Sequence, residues 1–127
     1  EKDALEQAVL RFPLNSVQLS AEQLAKLDDI EAHIVKLQQE GAAIGQKFVI
    51  ELHGHTDPTG NEDKNDTLSQ RRADEVAKAL ASRGISKDLL RTVAMGSREP
   101  VRAAAAYLTE LNRRVTFHVV IDNGAGR

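Results

Sequence analysis

Three groups of residues in this chain have the types and spacing to do chemistry. The first is Arg72. Ala73, Val76 and Leu80 form the apolar stripe of a helix, and Arg72 lies four residues before Val76, on or beside that stripe. Arg71 points about 100° away. A guanidinium near a core needs an acceptor, because an unpaired buried charge is costly. One reading is an edge arginine with a packed stem and a wet head; the other is a ligand-binding cation. The second group is the loop Gly54-His55-Thr56-Asp57-Pro58-Thr59-Gly60 at the end of a packed strand. Thr56 and Asp57 either make local turn bonds or are presented to a ligand by a rigid scaffold. The third is His53-x-His55, with Asp57 two residues on and His118 elsewhere. A period of two puts both histidines on one strand face, at a separation open to a metal ion. A metal-dependent hydrolase using His53, His55 and Asp57 is therefore an alternative, set against a solvated His pair.

Other chemistries lack their residues. Ser69 has no convincing His and Asp partners for a nucleophilic triad. No glycine-rich phosphate loop is present. Cysteine is absent, which removes disulfides, thiol nucleophiles and Cys-zinc sites. The chain has 127 residues and a net charge of -2, so no basic field attracts phosphate backbones. Aromatic residues make up 3%, too few for a base-stacking surface, and nucleic acid is not an expected partner. No apolar run reaches the roughly 18 residues of a membrane helix. The opening Glu1-Lys2-Asp3-Ala4 does not read as a signal peptide. The chain reads as a fragment whose export signal or anchor lies outside it.

The elements that position these residues follow from periodicity. Ala8 to Phe12 reads as a short strand ended by Pro13, and Asn15-Ser16 as a turn. Ser20 and Gln23 form a capping box. Behind it Leu24, Leu27, Ile30, Ile34 and Leu37 predict an amphipathic helix of about 18 residues, stopped by Gly41. Lys47 to His55 alternates, with Phe48, Ile50, Leu52 and Gly54 on one face. Residues 55–66 read as a turn-rich loop. Thr67-x-x-Gln70 reads as a second capping box, and Gly84 with Ile85 closes its helix. Leu89 to Met95 is a third strand and residues 102–111 a short Ala-rich helix. In the last strand Val115, Phe117, Val119 and Ile121 share a face. Length and order predict one domain over 1–127, with a core from about 9 to 121 and a frayed tail over 122–127. The fold class is an α/β two-layer sandwich of βαβα(β)β type, a mixed sheet with two long helices on one face.

Gly54-His55-Thr56-Asp57, Gly60, Asn65, Leu68-Ser69-x-x-Arg72-Ala73, Val76, Leu80 and Gly84-Ile85 together resemble the OmpA-like peptidoglycan-binding domain. Gly96-x-x-x-Pro100 and Asn112-Arg113-Arg114-Val115 resemble its closing signatures, and Val9-x-x-Phe12 with Leu19 its opening. The likeness spans about residues 9–121. It implies a non-enzymatic module that binds the diaminopimelate of the peptidoglycan stem peptide without a cofactor or metal. In that family the Asp and Arg at positions 57 and 72 hold diaminopimelate. Asn65, Asn15 and Arg113 match its further ligand positions, and Thr56 belongs to the same motif. The resemblance implies a periplasmic location in a Gram-negative bacterium, with any membrane anchor in a segment beyond this fragment. The free end of diaminopimelate is a zwitterion, so Asp57 and Arg72 side by side suit it. Arginine forks onto a carboxylate as lysine cannot. In the empty domain these two charges are expected to neutralise each other. Two stretches depart from the family pattern: residues 101–111 are Ala-rich where a polar loop is usual, and Pro13-Leu14 precede Asn15 instead of an acidic residue.

Overall fold

The computed structural model describes residues 2–13, 15–57, 61–98 and 112–122. The elements are α1 (Lys2–Gln7), β1 (Val9–Arg11), α2 (Ala21–Ala43), β2 (Lys47–His55), α3 (Glu62–Ser82), a 3-10 turn (Lys87–Leu89), β3 (Leu90–Gly96) and β4 (Arg114–Asp122). The sheet order is β1-β4-β2-β3. β4 runs antiparallel to both β1 and β2, and β3 runs parallel to β2. This is the mixed α/β sandwich expected from the sequence. One core joins Leu27, Ile30, Ile34 and Leu37 of α2 and Ala73, Val76 and Leu80 of α3 to Ile50, Leu52, Val115 and Phe117 of the sheet.

Several boundaries differ from the sequence reading, each for a local reason. α3 starts at Glu62, not after Thr67. Asn61 caps it, its side chain accepting from the Lys64 N–H at 2.7 Å. Gln70, read as the second half of a capping box, instead reaches Asp74 and Thr92. α2 runs 23 residues, through Gly41 rather than ending there. Gly41 is buried, and a Cβ on it would lie 2.9 Å from the Phe48 ring. Its value is close approach, not termination. Ser20 caps this helix as expected, but Leu24 is 36% exposed and Gln23 takes the inward position. The Gln23 side chain accepts the Arg11 N–H at 2.8 Å, which ties α2 to β1. The C-terminus of α3 is as read: Gly84 has φ 98°, and the Ile85 N–H returns to the Leu80 carbonyl. β2 has the expected bounds, while β3 begins one residue later, after the 3-10 turn. On β4 Val115 and Phe117 are buried, but Ile121 is 56% exposed at the strand's far end. Helix α1 has no counterpart in the sequence reading; it buries Leu5 and sets Glu6 against the Val119 N–H. The helix expected over 102–111 and the tail over 123–127 lie outside the described residues.

One contact fixes α3 on the sheet. A Cβ at Gly54 would collide with the Ser69 carbonyl oxygen, so only glycine lets helix and strand approach this closely. Ser69 Oγ then donates to the Asp66 carbonyl and accepts the Gly96 N–H at 3.0 Å. Gly96 in turn accepts the Thr56 N–H. The end of β2, the start of α3 and the end of β3 are thereby locked together.

Candidate functional site

Arg72 comes off α3 into this locked corner and is 0% exposed, so the wet-headed edge arginine is ruled out. Its guanidinium is forked onto three main-chain carbonyls. Nε donates to Ser16 at 3.0 Å, Nη1 to His55 at 3.0 Å and Nη2 to Pro13 at 3.2 Å. Its Cζ lies 5.3 Å from the centre of the Phe12 ring. The expected neutralising pair is thus corrected: the described ion pair of Asp57 is with Arg113, at 3.5 Å, and Arg72 spends its donors on carbonyls. Asp57 still favours the charge on Arg72 through space. Burial, and then the like charge of Arg113, pull the Arg72 pKa down to about 10, so it remains a cation at neutral pH.

Arg113 completes the cluster. Its Nε donates to the Phe12 carbonyl at 3.0 Å, and its carbonyl accepts the Phe12 N–H. Asp57 is 5% exposed. Thr56 beside it is buried, and its hydroxyl has no hydrogen-bond partner among the described residues. Asn65 is buried on the α3 stripe that continues through Ser69 and Arg72. Asn15 is exposed and left-handed, with φ 57°, in the loop whose flanking carbonyls grip Arg72. Asn tolerates that conformation better than most residues. The structure therefore gathers Thr56, Asp57, Arg72 and Arg113 at one place, with Asn65 about two turns earlier on the same helical stripe and Asn15 at the rim. Two guanidiniums against one carboxylate leave an excess positive charge beside a carboxylate. Such a site suits a ligand group bearing both signs. The sequence reading missed Pro13, Ser16 and the Phe12 ring, because main-chain carbonyls leave no mark in residue chemistry.

The histidines lie on the opposite sheet face. His55 is buried, not solvated, and shares a hydrogen bond with the Thr116 hydroxyl at 2.9 Å. The same hydroxyl meets His118 at 3.0 Å. His55 Nδ1 is buried without a partner, so the ring proton belongs on Nε2, donated to Thr116; the hydroxyl then donates to His118. Burial first, then Arg114 and the two neighbouring histidines, push the His55 pKa down from 6.5 to about 3. His53 turns to Glu51 at 3.0 Å and stacks on His118 with ring centres 3.8 Å apart. The rings of His53 and His55 engage different partners, and Asp57 faces Arg113. No group of three ligands suited to a metal occurs among the described residues.

A sequence model of the OmpA family matches residues 11–113. The chain belongs to the OmpA family. It is 38% identical over 82 residues to the peptidoglycan-associated lipoprotein of Brucella melitensis, a match covering 64% of this chain and 47% of that protein. It is 40% identical over 70 residues to the probable lipoprotein YiaD of Escherichia coli, covering 54% and 32%. The chain thus spans about half or less of these relatives' length. The same fold occurs in the peptidoglycan-associated lipoprotein of Burkholderia pseudomallei, with TM-score 0.76 and 23% identity over 90% of this chain and 91% of that one. It also occurs in the C-terminal domain of Helicobacter pylori MotB, with TM-score 0.77 and 22% identity over 92% and 87%.

Proposed function

We propose that this chain is a non-enzymatic binding module that holds the diaminopimelate residue of the peptidoglycan stem peptide. The observation that carries the reading is the meeting of Asp57 with Arg113 at 3.5 Å beside the buried Arg72. Diaminopimelate ends in an ammonium and a carboxylate on one carbon. Asp57 accepts from the ammonium, and the carboxylate lies against the two guanidiniums. Arg113 retains some exposure and is the cation a ligand reaches first. Arg72 supplies charge from beneath and holds the 13–16 loop in shape. The Thr56 hydroxyl and the amides of Asn65 and Asn15 fix orientation. Family membership and the peptidoglycan-associated lipoproteins among its relatives support the same reading. The module would tether an envelope protein to the wall in the periplasm of a Gram-negative bacterium. One core joins every helix and strand of the described residues but the 3-10 turn, which supports one domain over 1–127.

Calorimetric titration with a diaminopimelate stem peptide tests this, with a Lys-type peptide as control. The Lys-type peptide lacks the second carboxylate, so wild type should bind it far more weakly. Equal binding of both sinks the clamp. Binding of neither would leave the fold to an interaction domain that does not hold the wall. A metal-dependent hydrolase draws no support from the orientation of the histidines.

A further inference from the structure

We infer a second anionic subsite beside the clamp, formed by Arg71 with Lys64 and Asn15, which takes another free carboxylate of the same stem peptide. The inference rests on the binding reading above and extends it. Lys64, Leu68 and Arg71 stand at i, i+4 and i+7 on α3, the stripe next to the one carrying Asn65, Ser69 and Arg72. With Thr67, Asp63 and Asn15 they line an open cleft of about 350 Å³. Half-buried Leu68 contributes an apolar side chain to the lining. Lys64 and Arg71 are exposed, and neither side chain has an ion pair or hydrogen bond among the described residues. Asp63, the one acid in the lining, leaves the cleft with an excess positive charge.

The position of this cleft is set by the clamp itself. Asn15 is one of its walls, and Asn15 sits between the Pro13 and Ser16 carbonyls that Arg72 holds. Arg71 and Arg72 are adjacent in sequence and diverge by about 100° around the helix. A ligand held at Arg72 and Asp57 therefore has its flanking residues within reach of Arg71. A diaminopimelate stem peptide carries free carboxylates on both sides of that residue. The γ-linked D-glutamate before it keeps its α-carboxylate, and the D-alanine after it supplies the C-terminus. Arg71 can fork onto either.

The test is calorimetry on the whole chain with four peptides: unmodified, amidated at D-glutamate, amidated at the C-terminus, and amidated at both. Arg71→Gln should weaken the unmodified peptide about fivefold, as for a partly screened charge pair, and Arg71→Lys should recover only part of that loss, because it restores the charge without the fork. One single amidation should weaken wild-type binding by the same factor and leave Arg71→Gln unaffected, which identifies the carboxylate. The doubly amidated peptide should bind wild type and Arg71→Gln alike. The subsite is overturned if Arg71→Gln binds the unmodified peptide as wild type does, or if its loss persists with the doubly amidated peptide. In those cases continued binding of the doubly amidated peptide by wild type leaves the clamp standing. If wild type binds none of the four, clamp and subsite fail together.

Discussion

Arg72 has two duties that its surroundings make inseparable. Its three donors close the 13–16 loop onto the end of β2, and its charge lies beside the proposed ligand site. A lysine keeps the charge but has no planar fork, so it cannot satisfy three carbonyls set around it. Arg72→Lys should therefore lower unfolding stability by about 2–4 kcal/mol, since buried carbonyls are stranded along with a buried charge. Urea unfolding reads this directly. A loss under about 1 kcal/mol would mean the three bonds are weaker in solution than their geometry implies. Asp57 is an acceptor and meets Arg113 at 3.5 Å. Asp57→Asn should fold but lose about 2–4 kcal/mol of stem-peptide binding, because a desolvated ligand ammonium loses its counter-charge. If that variant titrates like wild type, Asp57 is not the acceptor.

His55 makes a separate prediction about pH. Its folded pKa of about 3 lies below the ordinary 6.5 because burial and the Arg114 charge disfavour the cation. Between those values the unfolded chain takes up a proton that the folded one refuses. The contribution is whole above pH 6.5 and drains away as pH falls toward 3, by up to about 1.4 kcal/mol per pH unit. Carboxylates titrate in part of the same window, so the readout is a difference. His55→Gln should flatten the slope of stability between pH 6 and pH 4 relative to wild type. Parallel curves for the two proteins would remove His55 as the cause.

At the scale of elements, what the sequence made legible depended on whether buried positions were apolar. β2 and the apolar half of α3 followed from alternation and from Ala73, Val76 and Leu80. Residues 62–67 at the start of α3 did not, because its inward stripe there opens with polar Asn65 and continues through Ser69 and Arg72. A polar stripe is invisible to hydrophobic periodicity, and here it is polar because it lines the site and locks the helix to Gly96. Gln23 hid the phase of α2 in the same way, by taking a buried place to bond Arg11. α1 has six residues and one buried side chain, too little for any period to register. Thr56, Asp57, Arg72 and Arg113, which the fold brings together, were singled out by the motif. The partners that hold Arg72 were not, since they are carbonyls.

The helix–strand contact carries its own test. Gly54→Ala would push a methyl into the Ser69 carbonyl, which is backbone and cannot rotate away. The cost should be about 3 kcal/mol or more, at the upper end for overpacking. Leu80→Ala, at the other end of the same helix, should cost about 2–5 kcal/mol by leaving a cavity. The two should differ in what they do to the site. Gly54→Ala displaces α3 where Arg72 leaves it, and should weaken stem-peptide binding at temperatures where the variant is still folded. Leu80→Ala should leave binding of its folded fraction near wild type. If denaturation finds Gly54→Ala as stable as wild type, the close approach of α3 to β2 at this glycine does not hold in solution.

For the whole molecule, the site is an assembly of segments far apart in the chain. Phe12 to Ser16 follow β1, His55 to Asp57 end β2, Arg72 lies on α3 and Arg113 precedes β4. No one segment can form it. The unfolded chain therefore has no clamp, and a ligand of the clamp binds the folded state alone. Linkage then fixes the size of the effect. At a hundredfold excess over its Kd, stem peptide should add about 2.7 kcal/mol to unfolding stability, and about 4.1 kcal/mol at a thousandfold excess. The Kd comes from calorimetry and the stability from urea titration, so nothing is left to adjust. Asp57→Asn, judged at the same peptide concentration, should gain far less. Should wild type bind the peptide calorimetrically yet show no shift in its unfolding midpoint, the peptide is held by a segment that keeps its affinity after the fold is lost, and the meeting of Asp57, Arg72 and Arg113 is not what binds it.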